Sequence, residues 1–222
     1  MTITYLQKKF VAPALSTAPP DYDQRREDQL IYQLRLYFNL LDNFLANLAT
    51  TAGGATLAFP HIAASDTTDQ YAGGNDTPTL VAWNQGESLN GFTLAAGAAT
   101  AEYSGIYKIT YSLQLVNNAT SSEHVAYVWL KVNGTNVARS TTAFTIPKAA
   151  SVDSYISAYS EVVFTLNAGD YVELWWATDQ AATSGGTKGI YIYAEPAQVS
   201  PYARPAIPSS LGSITFVSAI TT

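Results

Sequence analysis

Between Asp23 and Leu48 the sequence reads DQRREDQLIYQLRLYFNLLDNFLANL, and no other segment has a comparable helical pattern. Leu30, Leu34, Tyr37, Leu41, Phe44 and Leu48 recur at alternating steps of four and three, which is a heptad seam. Ile31, Phe38 and Leu45 form a second row beside it. The resulting stripe is wider than a two-stranded zipper uses and must be covered on two sides. With no second long helix to cover it, the expected partners are other copies of the chain, in a bundle of three or more. The start is set by Pro19-Pro20, which cannot be helix interior, followed by Asp21 or Asp23 as the cap. Glu27 and Asp28 place negative charge in the early turns, where the helix dipole favours it. Thr50-Thr51-Ala52-Gly53-Gly54 ends the helix with β-branched residues and paired glycines.

Residues 1–22 read as an extended, Pro- and Ala-rich arm. Tyr5, Leu6, Phe10 and Val11 sit there beside Lys8 and Lys9 with no core of their own to join, so the arm is expected to dock on a partner. Lys8 and Lys9 also interrupt the apolar run that a signal peptide would need. Charged residues make up only 13% of the 222, while 47% are hydrophobic, so a sizeable core is available and few charges remain for the surface. The net charge of −6 argues against nucleic acid as a partner, because a basic patch is the usual footprint. No apolar run reaches the roughly 20 residues that span a bilayer, so no membrane insertion is expected. Without cysteine, disulfides and thiolate metal sites are excluded.

After a linker the apolar period changes from helical to two. Segments Thr79–Asn84, Gly91–Ala95, Ala99–Tyr103, Gly105–Val116, Val125–Asn133, Asn136–Ile146, Tyr155–Leu166, Tyr171–Thr178 and Lys188–Glu195 read as strands. Asn133-Gly134 is a hairpin signal. Ala126, Val128, Leu130 and Val132 make one apolar face, and Val125, Tyr127 and Trp129 a second, so this strand is expected to be covered on both sides. In Tyr171–Thr178, Trp176 is expected to face in and Trp175 out. Many short strands with regular turn signals imply a mainly β, antiparallel sandwich or barrel.

Three motifs occur in order: Ser104-Gly105-Ile106-Tyr107, Val132-Asn133-Gly134, and Leu166-Asn167-Ala168-Gly169-Asp170-Tyr171-Val172-Glu173-Leu174. This set, over about residues 57–195, resembles the C1q/TNF-like jelly roll. The resemblance implies a homotrimer with a partly aromatic three-fold interface, to which Trp129 is expected to contribute, as Leu30, Leu34, Tyr37, Leu41, Phe44 and Leu48 are through the helix seam. The C-terminal extension Pro196–Thr222 departs from it, as a segment the jelly roll does not need, and no collagen-like stalk is present. Joined to such a domain, the stretch DQRREDQLIYQLRLYFNLLDN is similar to small virion proteins of tailed, marine-type bacteriophages. The organisation expected is a docking arm over 1–22, a trimerisation helix over 23–50, a linker with the first strand over 51–78, a jelly-roll head over 79–195, and a Pro-rich strap with a final strand over 196–222.

The search for chemistry finds little. His61 and His124 are the only histidines and lie near strand starts. Phosphate loops, dinucleotide fingerprints, H-E-x-x-H and G-x-S-x-G are absent from the sequence. Glu161 and Glu173 lie on strands as possible cross-strand neighbours, with nothing that pairs them across a cleft. Asp66, Asp69, Asn75 and Asp76 supply oxygens without calcium-loop spacing. No catalytic residue, cofactor or metal is therefore expected. The expected role is a homotrimeric capsid decoration or head-fibre protein, anchored by its arm to other virion proteins and assembled in the host cytoplasm. The alternative is a tail fibre or receptor-binding adhesin that recognises a host surface glycan.

Overall fold

The computed structural model describes residues 23–48 and 59–220, as two separate units. The arm with Tyr5, Leu6, Phe10 and Val11 lies outside the described residues, as does the linker over 49–58.

The first unit is helix α1, Gln24–Leu48. Of the two candidate caps it uses Asp23, whose Oδ1 accepts the Arg25 N–H at 3.0 Å. Glu27 stands in the first turn.

The second unit is a sandwich of two antiparallel sheets. Sheet A contains β1 (His61–Asp66), β3 (Gln85–Asn90), β6 (Gly105–Asn117), β10 (Ser154–Leu166) and β13 (Ser210–Ser218), in the order β10-β6-β13-β1-β3. The short β12 (Ile190–Ile192) also pairs with β6. Sheet B contains β4 (Phe92–Ala95), β5 (Ala98–Ala101), β7 (His124–Val132), β9 (Thr142–Ile146) and β11 (Tyr171–Thr178), in the order β4-β5-β11-β7-β9. Two-residue strands β2 (Thr79–Leu80) and β8 (Thr135–Asn136) add to β11 and β7.

The pairing is nested. β1 pairs with β13, β5 with β11, β6 with β10 and β7 with β9, so the earliest strand meets the latest and the innermost two meet each other. The nested pairs alternate between the sheets. That winding is a jelly roll, and it bears out the expected fold class.

Strand alternation builds the core between the sheets. Tyr107, Ile109, Tyr111, Leu113 and Leu115 of β6 meet Val128 and Leu130 of β7 and Val172, Leu174 and Trp176 of β11, all buried. Trp83 lies under β13, where a Cβ on Gly212 would run into its ring.

The three motifs behind the family resemblance gather at one end of the sandwich, as locks on turns. Asn133 and Gly134 have φ of 50° and 74°, both positive, as a two-residue hairpin of this type requires. The Asn133 side-chain amide donates to Asp170 Oδ1 at 2.7 Å, and its oxygen accepts the Tyr171 N–H at 3.0 Å. Asp170 Oδ2 accepts the Asn167 N–H, and Ser104 Oγ accepts the Ala168 N–H. Hydrogen bonds from Asn133 and Asn167 hold the Asp170 carboxyl below the usual aspartate range. The three turns thus hold one another in place.

Three expectations are corrected. The jelly roll does need the C-terminal segment: β13 fills the middle of sheet A, paired on one side with β1 and on the other with β6. The expected strand Asn136–Ile146 is split into β8 and β9, because Arg139 takes a φ of 66° and Ser140 turns inward. There Ser140 Oγ accepts the buried Leu130 N–H and donates to the Val137 carbonyl. Finally, Gln85–Asn90 is an edge strand that the sequence analysis did not anticipate, and Thr79–Asn84 is regular only at its first two residues.

Candidate interaction surfaces

Both ring nitrogens of each histidine have a partner, and His124 lies between a serine hydroxyl and a carboxylate. His61 Nδ1 is 2.9 Å from the Phe59 carbonyl and Nε2 is 3.0 Å from Ser88 Oγ. His124 is 3.0 Å from Asp179 Oδ2 and 3.1 Å from Ser122 Oγ. Burial alone would push the Asp179 carboxyl up, but hydrogen bonds from His124 and the Val125 N–H outweigh it and hold the carboxyl below its ordinary range. Glu161 and Glu173 are not cross-strand neighbours: β10 lies in sheet A and β11 in sheet B. Three of the four candidate calcium residues bond within the scaffold, while the buried Asp66 Oδ2 has no partner among the described residues. Asp66 binds Thr68, Asp69 accepts the Ala194 N–H, and Asn75 accepts the Ala181 N–H. A cavity of about 360 Å³ opens beside Trp83, lined by Leu89, Leu94 and Gly97 and by no titratable side chain. The surfaces, more than any cleft, carry the candidate functions.

The helix is the first surface. Leu30, Leu34, Tyr37, Leu41 and Phe44 of the seam are half-buried, while Ile31, Phe38 and Leu45 are each about half exposed in the single chain. Leu48 belongs to the helix, but its side chain lies outside the described residues. A third exposed row, Tyr32, Leu36 and Leu40, escaped the sequence analysis. Its spacing of four is legible in the sequence.

The second surface is the outer face of sheet A. Tyr155, Tyr159 and Val163 stand exposed along the edge strand β10, and Leu211 and Val217 along β13. Small residues lie between them, with one loose ion pair, Lys108 to Glu161 at 3.7 Å. A groove of about 280 Å³ crosses this face between Tyr159 and Leu211 over Ala63, Ser112 and Gly212. The free edge of β10 is thirteen residues long and carries no lysine or proline, two of the devices that blunt exposed edges.

At the end of the same sheet, four tyrosines form a chain of ring contacts. Tyr71 stacks on Tyr191 with centroids 5.3 Å apart, Tyr191 meets Tyr193 at 6.2 Å, and Tyr193 meets Tyr155 at 5.5 Å. Desolvation raises all four hydroxyl pKa values, and neighbouring carboxylates add to it. Tyr193, next to Glu195, is pushed up to about 12. The unfolded chain releases these protons near the ordinary tyrosine value of about 10, the folded chain only at higher pH. The stability they contribute is therefore full below about pH 10 and is lost as pH rises through the folded values. Absorbance titration is expected to show a class of tyrosines ionising late, together with alkaline unfolding. A single ordinary tyrosine transition with no loss of structure would contradict this.

The third surface is the outer face of sheet B. The β7–β11 register places Tyr127 opposite Ala177, Trp129 opposite Trp175, and Lys131 opposite Glu173. Both tryptophans are half-buried, and Tyr127 is exposed. Trp129 Nε1 donates to Asn136 Oδ1 and Trp175 Nε1 to Glu173 Oε2, each at 3.0 Å. The Lys131 ammonium lies 3.5 Å from the centre of the Trp175 ring. The sequence analysis placed Trp176 inward and Trp175 outward, as found, and missed the pairing of Trp129 with Trp175 because register is not written in either strand alone.

No family model matches this sequence, and no curated protein matches it. Among solved structures the chain is similar to the globular domain of zebrafish complement 1qA protein, at 13% identity and a TM-score of 0.44, covering 73% of this chain and 99% of that one. It is similar to murine APRIL at pH 5.0, at 17% identity and a TM-score of 0.43, covering 71% and 99%. Eiger TNF from S. frugiperda aligns at 12% identity and a TM-score of 0.46, covering 75% and 97%.

Proposed function

We propose that this chain is a non-enzymatic structural protein that assembles as a homotrimer through α1, with the outer face of sheet A and the edge of β10 completing the contact. The observation that carries the reading is the uncovered apolar surface of α1. Ile31, Phe38 and Leu45 flank a heptad seam and are each about half exposed in one chain. Burying such side chains fully is worth about 1.5–3 kcal/mol each, a strong drive to associate. The similarity of this stretch to small phage virion proteins makes the particle the proposed setting. There the protein acts as a capsid decoration or head fibre, docked on another virion protein by residues 1–22. Three arms on one trimer would bind with high effective concentration. The aromatic face of sheet B favours a second reading, a fibre or adhesin that grips a host surface glycan.

Sedimentation of three proteins tests the main reading. The wild type is expected as a trimer. Leu41→Asp is expected to dissociate, because a carboxylate in the seam costs several kcal/mol to desolvate. The chain lacking residues 2–20 is expected to remain a trimer yet fail to load onto particles. A stable wild-type monomer overturns the assembly, and wild-type loading by the truncated chain overturns the arm as anchor.

A further inference from the structure

We propose that the strip Tyr127–Trp129–Trp175 on the outer face of sheet B is a binding platform for a neutral oligosaccharide. This deepens the adhesin reading and does not depend on the trimer.

The geometry is a short ladder with two columns. Rows on one face of a strand repeat every two residues, about 7 Å, so the ladder from Tyr127 to Lys131 is about 13 Å long, room for two or three sugar rings. Trp129 and Trp175 lie side by side as a direct cross-strand pair. At one end Tyr127 faces the small Ala177. At the other end Lys131 faces Glu173, and Asn136 borders Trp129.

Three observations choose the ligand. First, both indole N–H groups bond sideways to acceptors within the strip, Asn136 and Glu173, which holds the rings in place along the sheet. The faces of aromatic rings carry the negative end of the quadrupole, which attracts the polarised C–H groups on the apolar face of a sugar. Second, the Lys131 ammonium above Trp175 shows that an electropositive group settles on this surface. That ammonium can swing to a ligand hydroxyl without losing its solvation. Third, one cation and one anion face each other at the end of the strip, so its charge is balanced and a neutral ligand fits better than an acidic one. A protein partner would have to desolvate Lys131 and Glu173 together, which costs several kcal/mol per ion. A polyhydroxylated ligand replaces their water partners one hydroxyl at a time.

The test uses the full chain on an array of neutral oligosaccharides. It is followed by titration with hexasaccharides of α-linked glucose, β-linked glucose and β-linked N-acetylglucosamine. Tryptophan emission reports on the strip because Trp83 and Trp176 are buried. The wild type is expected to bind at least one probe with a change in emission. Trp129→Ala and Tyr127→Ala should each weaken it about tenfold, Trp129→Phe should retain most of the affinity, and Tyr202→Ala, an exposed tyrosine away from both sheet faces, should change nothing. Tyr127 is exposed, so its variant tests the site even if Trp129→Ala fails to fold. Absence of binding by the wild type to every array member overturns the adhesin reading and this site with it. Binding that survives both alanine variants leaves the adhesin reading standing and overturns the site. A changed sedimentation coefficient in Tyr127→Ala or Trp129→Phe also overturns it, and makes the strip an interface between copies, as the sequence resemblance implied for Trp129.

Discussion

A chain ending at Pro208 is expected to lose the β domain altogether. The truncation removes β13, which lies between β1 and β6 and is hydrogen-bonded to both. Six residue pairs with β1 and eight with β6 disappear. Two strands that were interior become bare edges, and their N–H and C=O groups lose partners in a half-buried setting. The core opens as well. Ile214 is buried against the central cluster, and Phe216 meets Tyr107 edge-on at 5.6 Å and stacks on Phe59 at 6.2 Å. Burial of two such side chains contributes about 3–6 kcal/mol, against a total stability of about 5–15 kcal/mol for a typical domain. Far-UV circular dichroism and thermal melting decide the matter. A cooperative melt in the truncated chain would mean that sheet A closes without its central strand. Restoration of structure by an added peptide spanning residues 209–220 would trace the loss to the missing strand.

Trp176→Ala is expected to cost about 3–5 kcal/mol, the usual range for a large aromatic removed from a core. Trp176 is completely buried on β11, between the sheets. Its Nε1 finds no acceptor among the described residues. The side chain therefore acts by volume, and its polar atom contributes nothing favourable. Trp176→Phe keeps most of the ring and removes an unpaired donor, so it should cost no more than about 1.5 kcal/mol. Urea denaturation of the two variants measures the difference. Equal losses would assign the stability to the indole N–H, and a loss below 1 kcal/mol for alanine would remove Trp176 from the shared core.

Sequence and structure agree where a segment carries its own signal. The period-two pattern of β6, β7, β10 and β11 was legible because each strand has one face in the core and alternates accordingly. The Asn133-Gly134 turn was legible because left-handed backbone at both positions favours that pair. The strand β3, QGESLN, was not, because an exposed polar edge leaves no hydrophobic periodicity. β13 was anticipated as a strand but given the wrong place: nothing in SLGSITFVS says that it will lie between the first strand of the domain and β6. The surfaces followed the same rule. The helix seam is a property of one segment and was found. The sheet A face and the Trp129–Trp175 pair exist only through register between distant strands, so they emerged only with the fold.

The pairing of β1 with β13 also brings the two ends of the β domain together. His61 sits opposite Thr215, and the Phe216 N–H donates to the Pro60 carbonyl. The domain is thus close to a ring of polypeptide with a seam at one place. A ring has no privileged starting point. A few residues joining the strand ends near Pro60 and Ser218 would close it, and new ends could be cut at a surface loop such as the Gln198–Arg204 turn, which two isolated bridges and the Arg204–Glu195 ion pair span. The order in which the strands are written would change while their neighbours in space stayed the same. What the jelly roll conserves is adjacency, and the position of its termini is an accident of where the ring was opened.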